Sequence, residues 1–131
     1  MRAGRADLTR VQALRVIALM FVVAGLAHFV VPHTFERIVP SWVPNPKAVV
    51  FWSGIAEIAG AIGLLVPATR VYAAWGLIAL LLSVFPANVQ MLQLARADGA
   101  NPMYVAALWA RLPLQAVLIW WVWRAAVRRP A

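Results

Sequence analysis

Apolar positions in this chain fall into four long blocks separated by short polar or proline-rich connections. The blocks lie near 11–31, 48–67, 71–94 and 105–123. Each is long enough to cross a hydrocarbon core of roughly 30 Å, which takes about 20 helical residues at about 1.5 Å each. The pattern predicts an all-α protein, a single transmembrane domain over residues 1–131 built as a four-helix up-down bundle. Thr9-Arg10-Val11-Gln12 fits a capping box, so the first span is expected to begin there. A cleaved signal peptide is the competing reading, because Arg2, Arg5 and Arg10 precede the apolar run and Gly25-Leu26-Ala27 has the small residues of a cleavage site. The run continues through Phe29, Val30 and Val31 beyond that point, which favours a span.

The connection after the first block, "PHTFERIVPSWVPNPK", is not an ordinary polar loop. Phe35, Ile38, Val39 and Trp42 recur at i, i+3, i+4 and i+7, a one-sided apolar stripe. Thr34 is placed to cap a short helix with Glu36 in its first turn, and Pro40, Pro44 and Pro46 would stop it. The expected element is a short interfacial helix followed by a stiff proline segment lying as a lid over the mouth of the bundle. Phe35, Pro40, Trp42 and Pro44 form its body, and Trp42 sits at headgroup level.

Within the blocks, small residues and prolines set the packing. The second carries Ser53, Gly54, Ala56, Ala59, Gly60, Ala61 and Gly63, and its small-xxx-small pairs let helix backbones approach closely. It is therefore expected at the centre of the bundle, although the same face would also serve a homo-oligomer. Pro86 and Pro113 should free the carbonyls of Leu82 and Trp109 and bend spans three and four. "WWVWR" at the end of span four reads as an interfacial anchor.

Composition agrees: 64% of the residues are hydrophobic and 12% are charged, proportions of a membrane protein whose principal partner is the lipid bilayer. A net charge of +8 raises nucleic acid as a partner, but the basic residues sit mostly at the ends of apolar blocks. Membrane topology explains them without nucleic acid. Arg2, Arg5, Arg10, Arg15, Arg70, Arg124, Arg128 and Arg129 fall on one side, against Arg37, Lys47 and Arg96 on the other. The positive-inside rule then puts both termini in the cytoplasm. With no cysteine, the chain has no disulfide, iron–sulfur ligand or thiol relay of its own, so a redox role would need a bound cofactor or partner.

The candidate chemistry lies in the few polar groups inside the spans. Glu57 falls near the middle of span two, and Arg111 in span four differs from it in height by only about 5 Å at helical rise. A lone charge at mid-membrane costs about 3 kcal/mol or more, so the two are expected to pair. Gln115 follows Arg111 by one turn, Asn88 and Gln90 lie in the outer half of span three, and His28 near the outer end of span one. These positions predict an outward-facing polar cavity with His28, Glu57, Asn88, Arg111 and Gln115 as ligand-binding residues. Structural glue between helices is the plainer alternative. No metal site is indicated, since His28, His33 and Glu36 lack chelating spacing. The two histidines, five residues apart on one segment, cannot flank a haem. His28 offers a side chain for proton exchange with a quinone headgroup or a proton relay, the plainer alternative being a histidine hydrogen-bonded near the interface.

"GLAHFVVPHTFERIVPSWVP", "SGIAEIAGAIGLLVPATRVYAAWGLI", "FPANVQM" and "LWARLPLQ" together resemble the DoxX-like family of small four-helix bacterial membrane proteins. The similarity runs from about Val16 to Trp123 and includes every member of the polar cluster except Gln90. It implies a place in the bacterial inner (plasma) membrane and one of two roles. One is a quinone- or lipid-associated accessory subunit of a membrane redox enzyme, as in a thiosulfate:quinone oxidoreductase. The other is a non-catalytic scaffold or assembly factor, the role of a distant eukaryotic branch. Quinone is the cofactor the first role implies; the thiol-oxidising variants of the family are not implied, because the cysteines are missing.

Overall fold

The computed structural model describes residues 2–128, the side chains of residues 2, 3, 6 and 7 excepted. Arg129 and the side chain of Arg2, both counted above for topology, lie outside the described residues. Four long helices carry the fold: α1 (Arg2–Val30), α3 (Pro46–Leu65), α4 (Arg70–Ala97) and α5 (Pro102–Val122). A five-residue helix, α2 (Pro32–Glu36), follows α1, and a single π-helical turn, Trp123–Val127, extends α5. Among the described residues there is no strand. Leu8–Val30, Pro46–Leu65, Arg70–Ala97 and Pro102–Val127 are each long and apolar enough to cross a membrane, and the chain is therefore a multi-pass membrane protein by length and composition.

Helix ends follow local chemistry, not always that expected. Asn45 and Asn101 cap α3 and α5, accepting from the backbone N–H of Ala48 and Met103, with Pro46 and Pro102 in the first turn where a missing N–H costs nothing. Thr9 does not open a helix: α1 already runs from Arg2, and the Thr9 hydroxyl donates back to the Arg5 carbonyl at 2.9 Å. Nor does Thr34 cap α2, which starts after Val31 without a side-chain cap. The end of α3 is closed by the residues that follow it, the Thr69 hydroxyl donating to the Gly63 carbonyl and Arg70 Nε to the Leu64 carbonyl.

The bundle is built in series. Helix α3 packs against α1 on one side and α4 on the other, α4 packs against α5, and α5 scarcely touches α1 directly. Glycine explains how closely α3 packs on its two neighbours, although α4, between α3 and α5, is equally internal in the series. A Cβ on Gly54 would lie 3.0 Å from the Gly25 carbonyl oxygen of α1, whereas Cβ atoms on Gly60 and Gly63 would meet Leu77 and Ala73 of α4. The ring of helices closes only where the π turn reaches α1 and α4. There the turn's backbone bonds one residue further than an α-helix, Arg128 N–H to Trp123 C=O, and Arg10 Nε donates to the Ala125 carbonyl at 2.6 Å.

The core follows that closure. Leu14, Ile17, Ala18 and Phe21 of α1, Ala61 and Leu64 of α3, Ala74, Leu77, Ile78 and Leu81 of α4, and Val122, Ala125 and Ala126 form one buried cluster. All lie in the half of the bundle next to the chain ends, termed here the terminal half. The opposite half, beside residues 31–45 and 98–101, contains only a small cluster of Leu92, Ala95 and Leu108 between α4 and α5.

Candidate functional site

A step in helix length opens space in this second half. Gly54, eight residues or about 12 Å into α3, meets Gly25 and His28, and His28 is only two residues from the end of α1. Helix α1 therefore stops about 9 Å short of the N-terminal end of α3. Residues 31–45 fill that step, and between them and the terminal core lies a cavity of about 960 Å³.

Its walls come from all five α-helices and the segment after α2. Thr34, Phe35, Ile38, Val39, Pro40, Trp42 and Val43 form one end, so the stripe read from the sequence at 35, 38, 39 and 42 faces the cavity. Pro44, expected in the same role, is exposed and does not line it. Phe21, Leu81, Leu118 and Trp121 form the other end, against the terminal core. Trp121 thus points into the bundle, while Trp120 is half exposed with Arg124 over its ring at 5.4 Å. The side walls are Met20 and Ala24 of α1, Val50, Ser53 and Glu57 of α3, Val84, Ala87, Asn88 and Met91 of α4, and Arg111, Leu114, Gln115 and Val117 of α5. Gln90 is half-buried elsewhere.

All five polar residues singled out from the sequence, His28, Glu57, Asn88, Arg111 and Gln115, line this one cavity. Their pairing differs from the expectation. Glu57 does not pair with Arg111; its Oε2 lies 3.3 Å from Nδ1 of His28. The reason is topological: α3 faces α1 and α4, and α5 is reached only across α4 or across the cavity. Similar depth brings two side chains together only when their helices are neighbours. The sequence signal for the actual partner was the complementary glycines, Gly25 and Gly54, which bring α1 and α3 together beside His28.

The contact between His28 and Glu57 is incomplete. Nδ1 of His28 also lies 2.7 Å from the Ala24 carbonyl. A carbonyl oxygen only accepts, so the Nδ1 proton is directed there. Oε2 of Glu57 is left buried and without a hydrogen-bond partner, although the residue is only 8% exposed. The imidazole is further fixed by Phe35 of α2, whose ring stacks on it at 4.0 Å between centroids.

Across the cavity, Asn88 Nδ2 donates to Gln115 Oε1 at 2.6 Å, joining α4 to α5. Gln115 Nε2 donates in turn to the Leu81 carbonyl. This is one residue before the carbonyl that Pro86 deprives of its donor, so the side chain supports the helix next to the proline rather than at Leu82 itself. Helices α4 and α5 continue through Pro86 and Pro113. Arg111, one turn from Gln115, has a single neutral contact, Nη1 to the Met91 sulfur at 3.4 Å. Among the described residues no carboxylate pairs with it.

Residues 17–126 match the model of a family described as a domain of unknown function, DUF8561. The chain belongs to that family. Comparison with curated proteins and with solved structures finds no match. The matched region contains α3, α4 and α5 whole, about the second half of α1, and every polar residue of the cavity.

Proposed function

We propose that this member of the DUF8561 family binds an amphipathic small molecule, quinone-like or lipid-like, in the cavity beneath residues 34–43. The observation that carries the proposal is one apolar-walled cavity of about 960 Å³ whose lining includes His28, Glu57 and Arg111, drawn from three different helices. That volume is at the upper end of what drug-sized ligands occupy, and apolar walls with a few placed polar groups are the usual make-up of such sites. Polar groups inside a membrane are costly, which supports a functional purpose for them. In this reading Arg111, with the Asn88–Gln115 pair beside it, orients the ligand's oxygens, His28 and Glu57 face it from the other wall, and Phe35, Pro40 and Trp42 cover it.

The DoxX-like resemblance adds the setting: an accessory subunit of a membrane redox system, in the bacterial inner membrane with both termini cytoplasmic and the cavity facing outward. The test is direct. Protein purified in mild detergent should carry a stoichiometric quinone or lipid identifiable by mass spectrometry, and adding that compound to stripped protein should raise its thermal midpoint. Absence of any retained amphiphile, together with an unchanged midpoint across quinones and lipids, would remove the proposal.

A scaffold role is the second reading, favoured by one observation. The Gly25–Gly54 approach and the neighbouring His28 and Glu57 tie α1 to α3. Under it, a partner protein recovered from native membranes would be lost on changing an exposed helix face, while filling the cavity would leave the complex intact.

A further inference from the structure

The charges on the cavity wall are unevenly compensated. Its titratable side chains are His28, Glu57 and Arg111. The first two stand 3.3 Å apart, whereas Arg111, an exposed residue at the cavity's edge, meets only a thioether among the described residues. A guanidinium has five N–H donors in a planar fork and is always charged, and a thioether is a weak acceptor. The neighbouring amides add no anion: Asn88 and Gln115 are bonded to each other and to a carbonyl, and each NH₂ group retains a second N–H. The α5 side of the cavity is thus rich in donors and positive. On the α3 side the reverse holds, because Oε2 of Glu57 is buried beside His28 yet accepts no hydrogen bond.

From this distribution, and resting on the reading of the cavity as a ligand site, we infer that the ligand is an anionic amphiphile. Its head group is a phosphate monoester or a similar oxyanion bearing a hydroxyl, and its alkyl chain lies against the apolar walls. The oxyanion accepts from the Arg111 fork, a contact that charge assistance strengthens and that a neutral quinone carbonyl matches less well. The hydroxyl donates to Glu57. The chain runs toward Phe21 and Trp121, and the acyl or alkyl source is favoured over free phosphate because apolar side chains make up most of the lining.

The experiment uses the full chain in nanodiscs of neutral phosphatidylcholine, with tryptophan fluorescence as readout, Trp42 and Trp121 both lining the cavity. Four probes are titrated: dodecyl phosphate, dodecanol, a decyl-substituted benzoquinone and inorganic phosphate. Dodecyl phosphate should bind saturably and at least tenfold more tightly than dodecanol or the quinone, with inorganic phosphate giving no saturable change. R111Q should abolish the preference for dodecyl phosphate and R111K should retain most of it. The inference is overturned if R111Q keeps the preference, if inorganic phosphate competes as well as dodecyl phosphate, or if the neutral probes bind as tightly as the anion. In the last case the cavity remains a ligand site for neutral amphiphiles; if no probe binds, the ligand reading falls with the inference. Should R111Q fail to fold, the comparison of dodecyl phosphate with dodecanol on the unaltered protein decides alone.

Discussion

The two halves of this bundle use the same kind of residue for opposite ends. In the terminal half, Ile17, Leu64, Leu77 and Val122 are almost wholly buried and pack helix to helix with the π turn closing the ring. In the other half, Met20, Val84, Leu114 and Val117 are as apolar but face a cavity, because α1 ends early and α5 has no helix on its far side. In a bilayer, lipid is as apolar as leucine, so close packing and hydrogen bonds, not hydrophobicity, hold helices together. The terminal half holds the large buried cluster, the cavity half is held by the Gly25–Gly54 approach and the Asn88–Gln115 bond, and the difference separates a region that stabilises from one that is free to bind.

Truncation in the terminal half should give the largest effect. Leu77→Ala removes a side chain that is 1% exposed and packed on Gly60, and it should cost about 2–5 kcal/mol. The matching change on the cavity wall, Leu114→Ala at 60% exposure, should stay within about 0.5 kcal/mol. Thermal or denaturant unfolding in one detergent, run side by side, would show equal losses if the two halves are equally packed.

Next comes the glycine contact that sets the height of His28 against α3. Gly54→Val would drive a Cβ to 2.9 Å from His28 Cβ and 3.0 Å from a backbone oxygen, and overpacking of this kind costs about 1–3 kcal/mol. Gly76→Val, where nothing lies within 4 Å, is the control and should be close to neutral in the same assay. Loss at position 76 equal to that at 54 would mean that helix propensity and not the α1–α3 approach is being measured.

Gln115→Leu should have a smaller effect of about 1 kcal/mol, since interhelical hydrogen bonds in membranes average well under the value expected in water. It leaves the Leu81 carbonyl and Asn88 without their partner, and Asn88→Leu in the same background should add little, because the two share one bond. Additive losses in that double-mutant cycle would show that they act separately. The smallest stability effect is expected from Ser53→Trp, which places a large ring in open space on the cavity wall. Its midpoint should hold while saturable binding of amphiphiles disappears; retained binding would place the ligand elsewhere.

Much of this was legible from residue order. The span centres agree with the apolar blocks to within a few residues, and the stripe at Phe35, Ile38, Val39 and Trp42 pointed to a segment with one apolar face, which turns to the cavity. Thr9 is no cap because the helix continues through the preceding residues from Arg2, where the Arg5 carbonyl accepts from the Thr9 hydroxyl. The expected Glu57–Arg111 pair was a statement about depth alone. Depth follows from counting residues along one helix, whereas contact also requires the order of helices around the bundle, which counting does not contain.

Residue order alone carries four membrane-length helices, the close approach of α3 to its neighbours through its glycines, and which polar residues sit near mid-helix, because each follows from hydropathy and helical rise along the chain. Three-dimensional packing sets that α1 stops short, that His28 and not Arg111 stands beside Glu57, and that Arg111 lines the same cavity of about 960 Å³ from another helix. Those facts depend on which helices touch, and helix contact is fixed by shape across the whole bundle.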